Sequence, residues 1–265
     1  MHMHIPLVAY HHLSYGKTND DHHSAGGNLT LALLQTLLEI RRQGRTIRWF
    51  GVEREVTLPA AATCCSPWLD VVQSMPSWDG NARWDFLPSQ GVLEEGRPQP
   101  PADSVWPTDP PRRHLYCDDA DLLHPLVSLQ LARSWAGAPP VYLCCGWECL
   151  ADETRWFAAR LAREDTPAVP VVFEEYEAMP HVSALVLPHL EASRRNLRSW
   201  AAFITRAVED PAAITSSYTT VRARTLEEVP IDPRQLTSFS DDDVRRMARD
   251  KAGHESPAAE SRLRL

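Results

Sequence analysis

Three side chains spread along this 265-residue chain, Ser24, Glu148 and His181, are of the types needed for nucleophilic acyl transfer. A serine hydroxyl attacks a carbonyl effectively only when an imidazole takes its proton. A carboxylate on the other ring nitrogen then fixes the imidazole tautomer and stabilises the imidazolium that forms. Ser24 opens the helical run "SAGGNLTLALLQTLLEI", whose first N–H groups, that of Ala25 foremost, could hold a developing oxyanion. The chain order Ser…Glu…His is one in which such triads occur. Each residue also has a plain structural reading. Ser24 would cap a helix, His181 would be a loop histidine after Met179-Pro180, and Glu148 would be half of a salt bridge. Asp152, four residues on, competes with Glu148 for the carboxylate role.

Those residues need elements to position them. Leu29, Leu33, Leu34, Leu37 and Leu38 repeat at helical spacing and predict one apolar helix face, closed by "RRQGR" with Gly44 as the C′ residue. "EVTLPAAATCCSPW" predicts a short buried strand, and Val141–Cys145 a second, stopped by Gly146. A helix is expected from about Asp152 to Arg163, a strand in "AVPVVFEEYE", and a strong helix in "PHLEASRRNLRSWAAFITRAVE". Between the first two strands lies a Trp- and Pro-rich excursion, residues 66–111, with Asp70, Trp78 and Asp85 as structural corners. Helices alternating with strands argue for a parallel sheet covered on both faces. Ligand sites in such sheets lie beyond the carboxyl ends of the strands, where Glu148 and His181 fall.

Composition narrows the function. The 27 Lys and Arg against 35 Asp and Glu give a net charge of −8 with no basic stripe, which argues against nucleic acid as a partner. No run approaches a membrane-spanning length, and "MHMHIPLVAYHH" lacks the cationic flank and cleavage site of a signal peptide. Six cysteines, two adjacent pairs among them and no C-x-x-C, fit reduced, mostly buried thiols and hence an intracellular, cytoplasmic protein. His2, His4, His11, His12, His22 and His23, with Asp20 and Asp21, lack the spacing of a metal site and read as a solvated run.

The hexad Ser-Ala-Gly-Gly-Asn-Leu resembles the nucleophile elbow of the hormone-sensitive-lipase-like branch of α/β hydrolases, whose usual form is Gly-Asp-Ser-Ala-Gly-Gly-Asn-Leu. "SPWLDVVQSMPSWDGNARWDFLP", "VWPTDPPRRHLY", "HPLVSLQLARSWAGAPPVYLCCGWECLADE" and "EEYEAMPHVSALVLPHLEASRRNLRSWAAFI" are similar to a fungal group of esterase/lipase-like hydrolases, over residues 24–209. The resemblance implies the α/β-hydrolase fold, a mostly parallel sheet with helices on both faces. It assigns Ser24 as nucleophile, Glu148 in "ECLAD" as the acid and His181 in "AMPHVS" as the base, with no cofactor and no metal. The substrate it implies is an apolar small-molecule ester or lactone, in fungal small-molecule metabolism.

The chain departs from that pattern in three places. His22-His23 replace Gly-Asp before the serine, where a sharp turn leaves little room for a side chain. No apolar strand leads directly into Ser24, and no His-Gly-Gly-Gly oxyanion loop lies upstream. The expectation is therefore an incomplete member of the family, with early strands and oxyanion loop missing. It would comprise an irregular His-rich segment (1–22), a hydrolase domain (23–209) and a charged, partly disordered C-terminal extension (210–265). The alternative is a catalytically impaired binding or scaffold protein, or a fragment, that self-associates through an exposed sheet edge.

Overall fold

A computed structural model of the chain describes residues 22–89, 91, 116–164 and 168–255. Most of the His-rich opening, the middle of the Trp/Pro-rich excursion and the last ten residues lie outside them, as do the side chains of His22 and His23.

Helix α1 (His22–Arg42) ends in a Schellman arrangement. Gly44, at φ 61°, donates to the Arg41 carbonyl, and Arg45 N–H donates to that of Ile40, so Gly44 takes its expected place. The buried stripe of α1 differs from the expected one. Leu31, Leu34 and Leu38 face the core, while Leu29 and Leu33 are 61% and 44% exposed. The rotation follows from Gly27, where a Cβ would come within 2.9 Å of Pro67. That close approach puts Gly27, Leu31, Leu34 and Leu38 on the inner side, at helical spacing.

An antiparallel ribbon, β1 (Thr46–Trp49) and β2 (Val52–Glu55), follows α1 and is exposed throughout. The main sheet has the order β3 (Ala62–Cys65), β4 (Val141–Gly146), β5 (Val171–Tyr176), β6 (Ser217–Val221), β7 (Glu228–Pro230). The first four strands run parallel, and β7 pairs antiparallel with β6. The architecture is a mainly parallel sheet between helices, as expected.

Alternation along β4 shows why its sequence is almost wholly apolar. Val141, Leu143 and Cys145 pack in one core with α1 and with helix α2 (Ala151–Ala162), which supplies Trp156 and Phe157. Tyr142 and Cys144 point the other way, toward Trp200 and Phe203 of helix α3 (Glu191–Glu209). A strand buried on both faces has no polar side to show. All six cysteines are free thiols, five of them buried, and burial pushes the Cys64 and Cys145 thiols well above the usual range.

Residues 210–255 are more than an appendage. Strands β6 and β7 extend the sheet, and helix α4 (Asp241–Glu255) buries Val244, Ala248 and Ala252 at four-residue spacing. The expected boundary at 209 falls inside this sheet. Its polar look has a physical reason: β6, "SYTTV", is half-buried, so its inward threonine and tyrosine positions carry no apolar signature. The expected N-cap at Ser240 is present, its hydroxyl accepting Asp243 N–H at 3.1 Å. No helix among the described residues is long and apolar enough to cross a membrane.

Candidate active site

Glu148 and His181 meet beyond the carboxyl ends of β4 and β5. Glu148 follows Gly146 and Trp147 at the end of β4, and its Oε1 accepts the Gly146 N–H at 3.2 Å. Its Oε2 lies 2.5 Å from His181 Nδ1, and both side chains are fully buried. Asp152, the competing acid, is engaged elsewhere: it accepts Ser77 N–H at 3.0 Å and pairs with Arg155 at 3.4 Å.

The turn carrying His181 is held under backbone strain. Ala178 (φ 57°) and Val182 (φ 42°) flank it in the left-handed region, which is unusual for alanine and more so for a β-branched residue. Each such residue costs about 1–3 kcal/mol and persists only where its surroundings fix it. Three contacts do the fixing. Val182 N–H donates to Ser66 Oγ at 3.2 Å, and His181 N–H donates to Asp85 Oδ1 at 3.1 Å. The third is steric, because a Cβ on Gly146 would collide with the Met179 carbonyl, so glycine lets the strand end press against the turn.

Asp85 does more than its reading as a corner suggests. While Oδ1 takes the His181 and Phe86 N–H groups, Oδ2 accepts Cys149 N–H at 2.8 Å. One carboxylate thus ties the histidine turn to the segment after Glu148. Ser66, itself at φ 50°, was not singled out by the sequence, and only its place directly after a buried strand could have marked it. Asp70 is a corner as expected: fully buried, it accepts Ser74 N–H, the Ser74 hydroxyl and Met75 N–H. Burial outweighs those bonds and raises its carboxyl from 3.8 to about 6.

Ser24 lies in the first turn of α1, inside the helix and not at an N-cap, and is 7% exposed. Its carbonyl accepts Trp68 N–H at 3.1 Å. The turn Ser66–Trp68 therefore contacts the start of α1 on one side and the histidine turn on the other. Asn28 reinforces this junction, donating to the Trp68 and Val127 carbonyls and accepting the Tyr116 hydroxyl. Ala25, the candidate oxyanion donor, also sits in that first turn, at the positive end of the helix dipole. The Ser24 hydroxyl does not bond to the imidazole. His181 Nε2 is buried with no hydrogen-bond partner among the described residues. An imidazole so held has one nitrogen committed to a carboxylate and the other free to accept a proton.

One aromatic ring open to solvent touches the pair, and two more are exposed on residues next to Asp85 and Glu148 in the sequence. Phe86 packs edge-on to His181 with centroids 6.0 Å apart, and Trp84, Phe86 and Trp147 are 56%, 46% and 38% exposed. Asp85, Glu148 and His181 also place potential metal-ligand atoms within 4.8 Å of one another. Those atoms are already spent on each other and on backbone N–H groups, so the set is better suited to a hydrogen-bonded pair than to a cation.

A sequence profile described as the alpha/beta hydrolase fold matches residues 23–185. Among solved structures, EstE5 soaked with ethyl alcohol is 24% identical with a TM-score of 0.51, covering 70% of this chain and 52% of its own. EstE5 soaked with p-nitrophenyl butyrate is 24% identical with a TM-score of 0.50, covering 70% and 51%. The hormone-sensitive-lipase homologue EstE7, from a metagenome library, is 23% identical with a TM-score of 0.48, covering 70% and 53%. The chain thus spans about half the length of these structures. No curated protein sequence matches it.

Proposed function

The chain belongs to the α/β-hydrolase fold family, and on that premise we propose that it is a carboxylic ester hydrolase using Ser24, His181 and Glu148. The observation that carries the reading is the buried Glu148–His181 pair with Nε2 left free. Ser24 Oγ attacks the ester carbonyl as His181 Nε2 takes its proton. Glu148 holds the Nδ1 proton and stabilises the imidazolium. The Ala25 N–H stabilises the oxyanion, and His181 returns the proton to the departing alcohol. Water, deprotonated by the same imidazole, then releases the acid and frees Ser24.

The exposed rings of Trp84, Phe86 and Trp147 favour an uncharged, apolar ester or lactone, since such rings bind apolar groups without needing a counter-charge. A role in fungal small-molecule metabolism rests on the sequence resemblance alone. The test is turnover of a short-chain aryl ester by the purified chain and by Ser24→Ala. Turnover lost in the variant supports the proposal, whereas a folded chain without Ser24-dependent turnover contradicts it. One observation favours the second reading, a hydrolase-like binding protein: Ser24 Oγ makes no hydrogen bond to Nε2. Such bonds are often long before substrate binds, so the enzyme reading stays in front.

A further inference from the structure

The ribbon of β1 and β2 is not part of the candidate site, and its residue pattern is that of a surface-docking device. Its register pairs Thr46 with Glu55 and Arg48 with Glu53 on one face, and Ile47 with Arg54 and Trp49 with Val52 on the other. The first face is polar, and Thr46 donates to Glu53 across it at 2.6 Å. The second is apolar apart from Arg54 at its base. The loop joining the strands is Phe50-Gly51, both at positive φ, as a tight two-residue hairpin turn requires. Glycine or asparagine usually fills the first loop position, yet here a phenylalanine occupies it and is 90% exposed. Its ring meets Trp49 edge-on at 5.1 Å. Ile47, Trp49, Phe50 and Val52 thus form an apolar wedge that joins no core cluster among the described residues.

Charge says what the wedge faces. Residues 41–55 hold five arginines (Arg41, Arg42, Arg45, Arg48, Arg54) against two glutamates (Glu53, Glu55), a local charge of +3 in a chain of −8. All of these residues are exposed. We propose that the ribbon is a membrane anchor whose Trp49–Phe50 tip enters the interface of an anionic phospholipid bilayer while the surrounding arginines bind its headgroups. An aromatic tip flanked by arginines suits that boundary, since the rings favour the headgroup level and the guanidiniums meet lipid phosphates. The rest of the chain, at −11, would be repelled by the same surface, so docking is oriented tip-first.

The orientation bears on the candidate site. Ser24 and Arg42 lie at opposite ends of α1, about 27 Å apart at 1.5 Å per residue. The proposed anchor thus lies at the opposite end of α1 from Ser24.

The test is co-sedimentation of the full chain with vesicles of phosphatidylcholine and phosphatidylserine, and with phosphatidylcholine alone. The proposal expects binding to the anionic vesicles, about ten-fold weaker on neutral ones and weakened by salt. It expects Trp49→Ser/Phe50→Ser to cut anionic binding at least about ten-fold, and Arg45→Gln/Arg48→Gln/Arg54→Gln to remove the preference for anionic lipid. Circular dichroism establishes that the variants are folded. Absence of vesicle binding by the parent, or binding unchanged in the Trp49/Phe50 variant, overturns the proposal. So does a dimer in solution that the same variant dissociates, because the tip would then dock on a second copy. Vesicle binding is read without any turnover, so its failure is distinct from failure of the esterase reading.

Discussion

Replacing Glu148 by glutamine probes the candidate site without changing its shape. Glu148 Oε1 accepts the Gly146 N–H, and Oε2 faces His181 Nδ1 at 2.5 Å. In Glu148→Gln the Gly146 N–H still demands an oxygen, so the amide nitrogen is turned toward His181. That amide donates, which makes Nδ1 the acceptor and puts the ring proton on Nε2. The nitrogen that the proposed mechanism needs to deprotonate Ser24 is then already protonated. A tautomer error of this kind costs about 10⁴ in kcat where a triad operates, or about 5.5 kcal/mol of transition-state stabilisation. The fold is little affected, because the side chain keeps its volume and both hydrogen bonds. The assay is kcat/KM on a p-nitrophenyl ester, beside a thermal melt of each protein. A folded Glu148→Gln within ten-fold of the parent would refute the reasoning, because the carboxylate would then not govern the imidazole.

Three further outcomes follow from the same structure. Asp85→Ala deprives the His181, Phe86 and Cys149 N–H groups of their acceptor, so kcat should fall about 10–100-fold while the melting temperature drops only modestly; unchanged kcat in a folded variant contradicts this role. Gly146→Ala drives a methyl into the Met179 carbonyl, and urea unfolding should show a loss of about 1–3 kcal/mol together with lost turnover. Asp70 titrates near 6 in the folded chain and at 3.8 when exposed, so the folded form holds the extra proton between those values. Its contribution to stability is full below about pH 4 and is lost as the pH rises through 6, a change of about 3 kcal/mol. The stability of Asp70→Asn relative to the parent should therefore climb over that window, and parallel urea profiles from pH 4 to 7 would contradict it.

Much of the fold was written in local pattern. Strand β4 reads directly because burial on both faces makes it an uninterrupted apolar run, β5 because it opens on the apolar residues Val171, Val172 and Phe173, and α3 because its polar and apolar residues alternate at helical period. The inner face of α1 could not be read, since leucines surround the helix and the Gly27–Pro67 contact decides the rotation. The ribbon was missed because its faces are set by pairing of β1 with β2 and not by burial, and its turn lacks the usual Asn-Gly. The C-terminal strands escaped notice for want of apolar residues. At the candidate site, the positions of Glu148 and His181 after strands marked them out. The bracing by Asp85 and Ser66 is made through backbone N–H groups, which leave no trace in residue type.

The central claim is that Ser24 is the group His181 activates. A fluorophosphonate probe tests this most directly, because it reacts with an activated serine whatever the natural substrate. After incubation of the folded chain, peptide mass spectrometry should find the phosphonyl adduct on Ser24, and it should vanish in His181→Ala. An adduct on another residue, or a folded chain that takes up no probe, would contradict the account.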